Sequence, residues 1–328
     1  MNVLVTGGAG YIGSHIVKVL AARGHTPVVY DNLSKGHAEA VAGARFIRAD
    51  VADAAALTGA LRENDVDLVI HMAAFIEAGE SVADPAKYFH NNTLTGLTLL
   101  DAMRAADVKR IVFSSTAAVY GNSGRQVLGE DDPVGPVSPY GASKLCVEMM
   151  LKAYAQAYGL GSVALRYFNV AGASPDGEIG EDHDPETHLI PLTLQVALGR
   201  REELKIFGDD YNTPDGTCVR DYLHVMDLAE AHVLAAKTVA PGDAKVYNLG
   251  TGAGFSVRQI LASCRQVTGH PIPATVAARR PGDPDRLVAC PQKAEAELGW
   301  RRRYGDVVTI VRDAWAWHQG HPRGYGPA

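Results

Sequence analysis

Cysteine is scarce and scattered. Cys146, Cys218, Cys264 and Cys290 are the only four in 328 residues, with no C-x-x-C spacing and no adjacent histidine cluster. That argues against a structural zinc site and fits a reducing compartment, and no metal is expected. Long apolar runs are also missing: nothing approaches the roughly 18 uninterrupted apolar residues of a membrane span. Met1-Asn2 passes directly into Val3-Leu4-Val5, without the order of charged, apolar and small residues that marks a secretory leader. A cytoplasmic protein with no membrane partner is the expectation. Positive charge is not in excess either. With 31 Lys and Arg against 37 Asp and Glu the formal net charge is −6, so no basic field recruits nucleic acid or anionic lipid. An anionic ligand must then be met by a few local arginines. No internal repeat, heptad or low-complexity tract is present.

What is there reads as a globular α/β chain, 47% hydrophobic and 21% charged, long enough for one large or two smaller domains. Short β-branched runs read as buried strands: Val3–Val5, Pro27–Tyr30, Arg45–Ile47, Asp67–His71, Arg110–Ser114 and Ser162–Arg166. Segments with helical apolar spacing lie between them, at Ser14–Arg23, Ala54–Asn64, Asn91–Ala106 and Tyr140–Tyr158. Such alternation predicts a doubly wound parallel (Rossmann) sheet with helices on both faces. From about Ala171 the pattern changes. Gly172–Pro185 reads as a loop, Pro191–Leu198 and Asp227–Ala236 as helices, and Val246–Leu249 as a short strand. The division predicted is residues 1–170 for a dinucleotide-binding domain and 171–328 for a smaller C-terminal α/β substrate domain, some of whose segments return to the first.

The first strand runs straight into Gly7-Gly8-Ala9-Gly10-Tyr11-Ile12-Gly13, which opens the first helix. Glycines are needed here because side chains would block both the tight turn and the approach of a pyrophosphate to the backbone. The helix N-terminus adds unpaired N–H groups and partial positive charge. Asp31 follows 18 positions beyond Gly13, at the end of the second strand. A carboxylate there can accept both hydrogen bonds of an adenine-ribose diol and would repel a 2′-phosphate, so NAD is expected rather than NADP. Asp50 and Val51 end the third strand, where they can hold an adenine, although Asp50 alone would read as a cap or turn residue. Ala73, after the fourth strand, is small enough for the cofactor to lie close. Tyr11 and Ile12 in the glycine turn, Asn32 beside Asp31, and Ser114 complete the cofactor side.

Tyr140 and Lys144 are four residues apart, and on a helix they project from one face. A phenol with an ordinary pKa near 10 is a poor base, but a neighbouring ammonium and a positive cofactor ring would lower it. Ser114-Ser115-Thr116 follows the fifth strand, at the sheet edge where doubly wound folds bind ligands. A hydroxyl from that run can bond the substrate oxygen that Tyr140 deprotonates.

The glycine turn, the hydroxyl after the fifth strand and the Tyr–Lys pair together resemble the extended short-chain dehydrogenase/reductase superfamily. Longer stretches sharpen the resemblance to the UDP-glucose 4-epimerases: GGAGYIGSH, FSSTAAVYG, SPYGASK, LRYFNVAGA, IFGDDYNTPDGTCVRDYLHVMDLA and WAWHQGHPRGY. That resemblance implies that Tyr140 takes the proton of the sugar 4-hydroxyl, that Thr116 shares the bond to that oxygen, and that Lys144 binds the nicotinamide ribose. It places Asn91 near the cofactor. Around a UDP-sugar it places Tyr167, Asn169, His188, Leu189, Phe207, Arg220, Arg280 and Asp283. It also implies a homodimer built on helices around Asn91–Ala106 and Tyr140–Tyr158. Three positions depart from the pattern: Ile76 stands where a phosphate-binding lysine is frequent, His188 where an asparagine is common, and Leu287 at the position associated with N-acetylated sugars. The expected reaction is interconversion of UDP-glucose and UDP-galactose. A UDP-pentose or UDP-N-acetylhexosamine substrate is the alternative. A nucleotide-sugar dehydratase is disfavoured by Ala117-Ala118 in place of its acid and base, and a non-catalytic NAD-binding protein by the intact Tyr140, Lys144 and Thr116.

Overall fold

The computed structural model describes residues 1–280 and 283–326. Its first half alternates strand and helix as the apolar periodicity requires: β1 (Asn2–Thr6), α1 (Tyr11–Ala22), β2 (Thr26–Asp31), β3 (Arg45–Arg48), α2 (Ala54–Glu63) and β4 (Leu68–His71). Two short helices, α3 (Ala78–Ala83) and α4 (Pro85–Tyr88), lead through a π-helical turn at Phe89–Leu94 into α5 (Thr95–Ala105). Then come β5 (Arg110–Thr116), α6 (Pro139–Tyr158), β6 (Gly161–Tyr167) and β7 (Asn169–Ala171). The second half supplies α7 (Leu189–Ala197), β8 (Leu204–Phe207), β9 (Val219–Arg220), β10 (Tyr222–His224), α8 (Val225–Thr238) and β11 (Ala244–Leu249). It ends with β12 (Phe255–Ser256), α9 (Val257–Thr268), β13 (Ala274–Ala277), β14 (Arg286–Leu287), α10 (Gln292–Glu297) and α11 (Val307–Gly320).

Seven parallel strands form the central sheet in the order β11-β6-β5-β4-β1-β2-β3. Val3, Val5, Leu68, Ile70, Val112 and Val163 are fully buried, as the apolar residues of strands covered on both faces must be. The order reverses between β1 and β4, which opens a crevice at the carboxyl ends of those strands. Each expected strand is present. The first helix begins at Tyr11 instead of Ser14, directly after the glycine turn.

The chain's second half contributes to the same layer. β11 completes the sheet beside β6, and Leu228, Ala229, Val233 and Ala236 of α8 share one core with Ile16 and Leu20 of α1. Trp300 is fully buried there, its Nε1 donating to Asp227 O at 2.9 Å. A separate core joins α7, α9 and α11 through Leu194, Ile260, Cys264 and Ile310. The small pairs β13–β8 and β10–β7 and the ribbon β12-β9-β14 surround it. Among the described residues no helix is long and apolar enough to cross a membrane.

Candidate active site

A cavity of about 450 Å³ opens at the crevice, with the glycine turn as its floor. The three glycines act differently. Gly7 has φ +66°, and a Cβ there would lie 2.6 Å from Ala73 N, while one on Gly13 would lie 2.2 Å from Gly7 O. These two are imposed by the protein's own backbone. On Gly10 the nearest atom to an added Cβ is 3.4 Å away, so its missing side chain leaves room on the cavity side. Gly10 also caps α1 without a side-chain hydrogen bond, which leaves the first-turn N–H groups of Tyr11, Ile12 and Gly13 available to an anion.

Asp31 stands on the same wall, largely buried. Its Oδ2 accepts from Ala9 N at 3.0 Å and its Oδ1 from Leu33 N at 2.8 Å. Burial raises its pKa, and those two bonds oppose the shift. Each oxygen keeps a further acceptor site, as a ribose diol requires. Asn32 donates to Asp50 Oδ2 at 2.8 Å, and with Val51 these residues close one end of the groove. Ala73 and Asn91 line its middle. Ile76 lies there too, offering no charge to a phosphate. Lys35, which sequence reasoning passed over, lies on this wall and donates to Asp184 O at 2.8 Å. An acid for a diol, free helix N–H groups and a glycine-cleared floor fit a dinucleotide.

The opposite wall carries Ser114, Thr116 and Tyr140. Ser138 caps α6, its Oγ accepting from Gly141 N at 3.2 Å, and Pro139 takes the first turn, which sets Tyr140 at the helix mouth. A Cβ on Gly141 would lie 2.6 Å from Ala118 O, so glycine lets α6 press against the turn that follows Thr116. Tyr140 N donates to the buried Ser81 Oγ at 3.1 Å. Ser143 Oγ donates to Tyr140 O at 2.7 Å and accepts from Asn92 Nδ2 at 3.0 Å. Asn92 also exchanges bonds with Phe75 N and O at 2.9 and 3.0 Å. Sequence reasoning missed Ser81 and Asn92, because each touches the site only through another residue.

Lys144 is not on the cavity surface: it is 2% exposed, donates to Ser114 O at 2.8 Å, and burial pulls its pKa down to about 7. Nor is the Tyr140 pKa lowered. Burial raises it, the Thr116 hydroxyl opposes that, and the Glu77 carboxylate adds to it. A phenolate here needs positive charge brought by a ligand.

A second cavity of about 220 Å³ adjoins the first, with Asn169 and His188 on both walls. Leu189, Phe207, Arg220 and Arg280 line it. Arg220 donates through Nη1 to Val219 O and Pro284 O, each at 2.9 Å, while its buried Nη2 makes no hydrogen bond among the described residues. Arg280 lies over the Phe207 ring at 5.3 Å. Asp283 is not on the wall; it pairs with Arg280 at 3.0 Å and lies 3.5 Å from Arg220, so it sets the two guanidiniums in place. Tyr167 faces the first cavity, its hydroxyl bonded to Ser114 Oγ. Leu287 lines neither cavity and packs beside Ala117, Tyr120 and Phe168.

Comparison with known proteins agrees with this geometry. Residues 3–250 match the model of the NAD dependent epimerase/dehydratase family. A UDP-glucose 4-epimerase of Halalkalibacterium halodurans is 53% identical over 326 residues, which are 99% of this chain and 98% of that protein. A crystal structure of a UDP-glucose 4-epimerase superposes with TM-score 0.96 at 50% identity, covering 100% of both chains. The Brucella ovis UDP-glucose 4-epimerase in complex with NAD gives TM-score 0.93 at 51% identity, over 96% of this chain and 97% of that one.

Proposed function

The chain belongs to the NAD-dependent epimerase/dehydratase family, and within it to the UDP-glucose 4-epimerases, and we propose that Tyr140, Thr116 and Lys144 carry out its inversion at C4. The reaction interconverts UDP-glucose and UDP-galactose through a 4-keto sugar, with NAD as cofactor. NAD, when bound, supplies a hydride acceptor that returns what it takes.

Tyr140 accepts the proton of the sugar 4-hydroxyl as C4 is oxidised, and gives it back to the same oxygen after the keto sugar has turned its other face. Thr116, next to Tyr140 on the cavity wall, shares the bond to that oxygen. Lys144 holds Ser114 O from beneath the wall, and it is the residue that would bind the nicotinamide ribose. Gly7, Gly10, Gly13 and the first turn of α1 take the pyrophosphate, and Asp31 takes the adenine ribose. Arg220 and Arg280 grip the UDP diphosphate by charge-assisted, forked bonds, with Asp283 holding both guanidiniums in place. Tyr167, Asn169, His188, Leu189 and Phe207 enclose the rest of the UDP-sugar.

One observation carries this reading: the cavity bearing Tyr140 and Thr116 joins the arginine cavity through Asn169 and His188. A sugar whose diphosphate is held in the second cavity therefore reaches the first. Residues 1–170 form the NAD-binding part in this account, and the later residues outside the sheet form the sugar-binding part. The protein works in the cytoplasm as a homodimer. Phe89, Leu94, Leu97 and Met149 expose apolar surface on and around the helices of the proposed interface. Light scattering is expected to give twice the chain mass; the mass of one chain would overturn the dimer.

The purified protein, given a panel of UDP-hexoses, UDP-N-acetylhexosamines and UDP-pentoses with no added cofactor, is expected to form the 4-epimer of UDP-glucose and of UDP-galactose. Turnover of a UDP-pentose alone would replace the hexose assignment, and no 4-epimer from any of them would sink the reading.

A further inference from the structure

The loop between β7 and α7 gathers four groups that local spacing does not advertise. One ligand atom each from Glu181, His183, Glu186 and His188 lie within 4.8 Å of one another. His183 Nδ1 is 3.2 Å from Glu181 Oε1 and 3.7 Å from Glu186 Oε2, and His188 Nδ1 is 2.9 Å from an oxygen of each glutamate. Both carboxylates are at least nine-tenths buried, with side chains 4% and 5% exposed.

We propose that these four side chains form a closed divalent-cation site, and that its ion is zinc. Geometry supports it first. Nitrogen and oxygen ligands at roughly 2.0–2.2 Å from zinc stand about 3.3–3.6 Å apart at the corners of a tetrahedron. The four nitrogen–oxygen separations, with Glu186 meeting His183 through Oε2 and His188 through Oε1, run from 2.9 to 3.7 Å, close to that edge, and one ligand atom from each residue lies within 4.8 Å of the others. His183 Nδ1 is a second, independent sign. It is buried 3.2 and 3.7 Å from two carboxylate oxygens yet makes a hydrogen bond with neither, which leaves a ligand nitrogen unpartnered among the acids.

Charge and ligand type select the ion. Once both imidazoles have released their protons to become ligands, the two carboxylates leave −2 among the four groups, which a divalent cation cancels. Two imidazole nitrogens suit zinc and its transition-metal neighbours and disfavour the hard, oxygen-seeking calcium and magnesium. Four protein ligands leave no open position, which is the pattern of structural zinc. The site's consequence is local. Glu181, His183 and His188 stand on the first cavity's wall and His188 also on the second's, so the ion fixes the loop where the two cavities meet. The inference does not depend on the epimerase reading, since its readouts are metal binding and stability.

The test is to strip the whole protein with a chelator and titrate it with zinc chloride alone, reading binding by calorimetry and the thermal midpoint by scanning fluorimetry. One equivalent per chain and a raised midpoint are expected. His183→Ala and Glu186→Gln should weaken binding by roughly tenfold or more, since losing a ligand costs no less than losing the partner behind it. The wild-type protein loaded with cobalt(II) needs no variant to fold: it should show the visible bands of a tetrahedral nitrogen–oxygen site without a thiolate charge-transfer band. No stoichiometric binding, binding indifferent to both substitutions, or an octahedral or thiolate cobalt spectrum would overturn the proposal.

Discussion

At the scale of the residue, the decisive question is how a buried phenol becomes a base. Burial raises the Tyr140 pKa, and the ammonium one turn away is turned toward Ser114 O. Burial thus favours the protonated phenol, and a cationic ring beside it would favour the phenolate. Tyr140→Phe keeps the ring and removes the acceptor. Its kcat is expected to fall by roughly 10²–10⁴-fold with NAD retention unchanged; undiminished turnover would remove Tyr140 from the mechanism. Asp31→Ala deletes the two acceptors of the diol and the bond that Ala9 N donates. The retained NAD per chain after gel filtration should fall, with affinity weakened about tenfold or more; equal retention would refute the ribose role. Residues whose placement follows from adjacency in the chain were legible in the sequence: the glycine turn, Asp31 and Tyr140 all stand on the cavity wall. The ammonium's destination and the reach of Asp283 were not, because both depend on how distant segments seat against each other.

At the scale of the element, the site is positioned by how α6 meets the end of β5. Gly141 allows the approach, and Asn92, in the π-helical turn before α5, ties Ser143 of α6 to the loop at Phe75. A π-turn redirects side chains that a regular helix would bury elsewhere, which is why helical periodicity over Asn91–Ala106 foretold a helix but not the role of Asn92. Gly141→Ala must displace the backbone at Ala118 O. The expected outcome is a loss of about 1–3 kcal/mol in denaturant unfolding together with a lower kcat, as Tyr140 and Thr116 move apart. Full activity with wild-type stability would show that α6 can be reseated freely. The strands were legible because their β-branched runs are buried on both faces. The entry of β11 into the sheet was not fixed by its sequence, since a short apolar run says nothing about its neighbour.

At the scale of the whole molecule, acid stability follows from buried histidines. Burial pulls the pKa of His71 down to about 3 and those of His15 and His232 to about 4, from 6.5. The folded chain keeps all three neutral while the unfolded chain takes up protons below pH 6.5. The unfolded state thus binds more protons, and stability falls as pH drops from 6.5 toward 4. At about 1.4 kcal/mol per pKa unit, each contributes on the order of 3 kcal/mol to that loss. Urea midpoints at pH 7 and pH 4.5 measure it: His232→Gln should flatten the difference, and an unchanged slope would exclude His232 from the acid transition. In the epimerisation the hydride that leaves C4 for NAD returns to the same carbon, and a carbon-bound hydride does not exchange with water. That claim is tested most directly with UDP-galactose carrying deuterium at C4, incubated with the purified protein in ordinary water and no added cofactor. The account expects UDP-glucose that retains the deuterium at C4. Product with hydrogen from solvent at that carbon would contradict it.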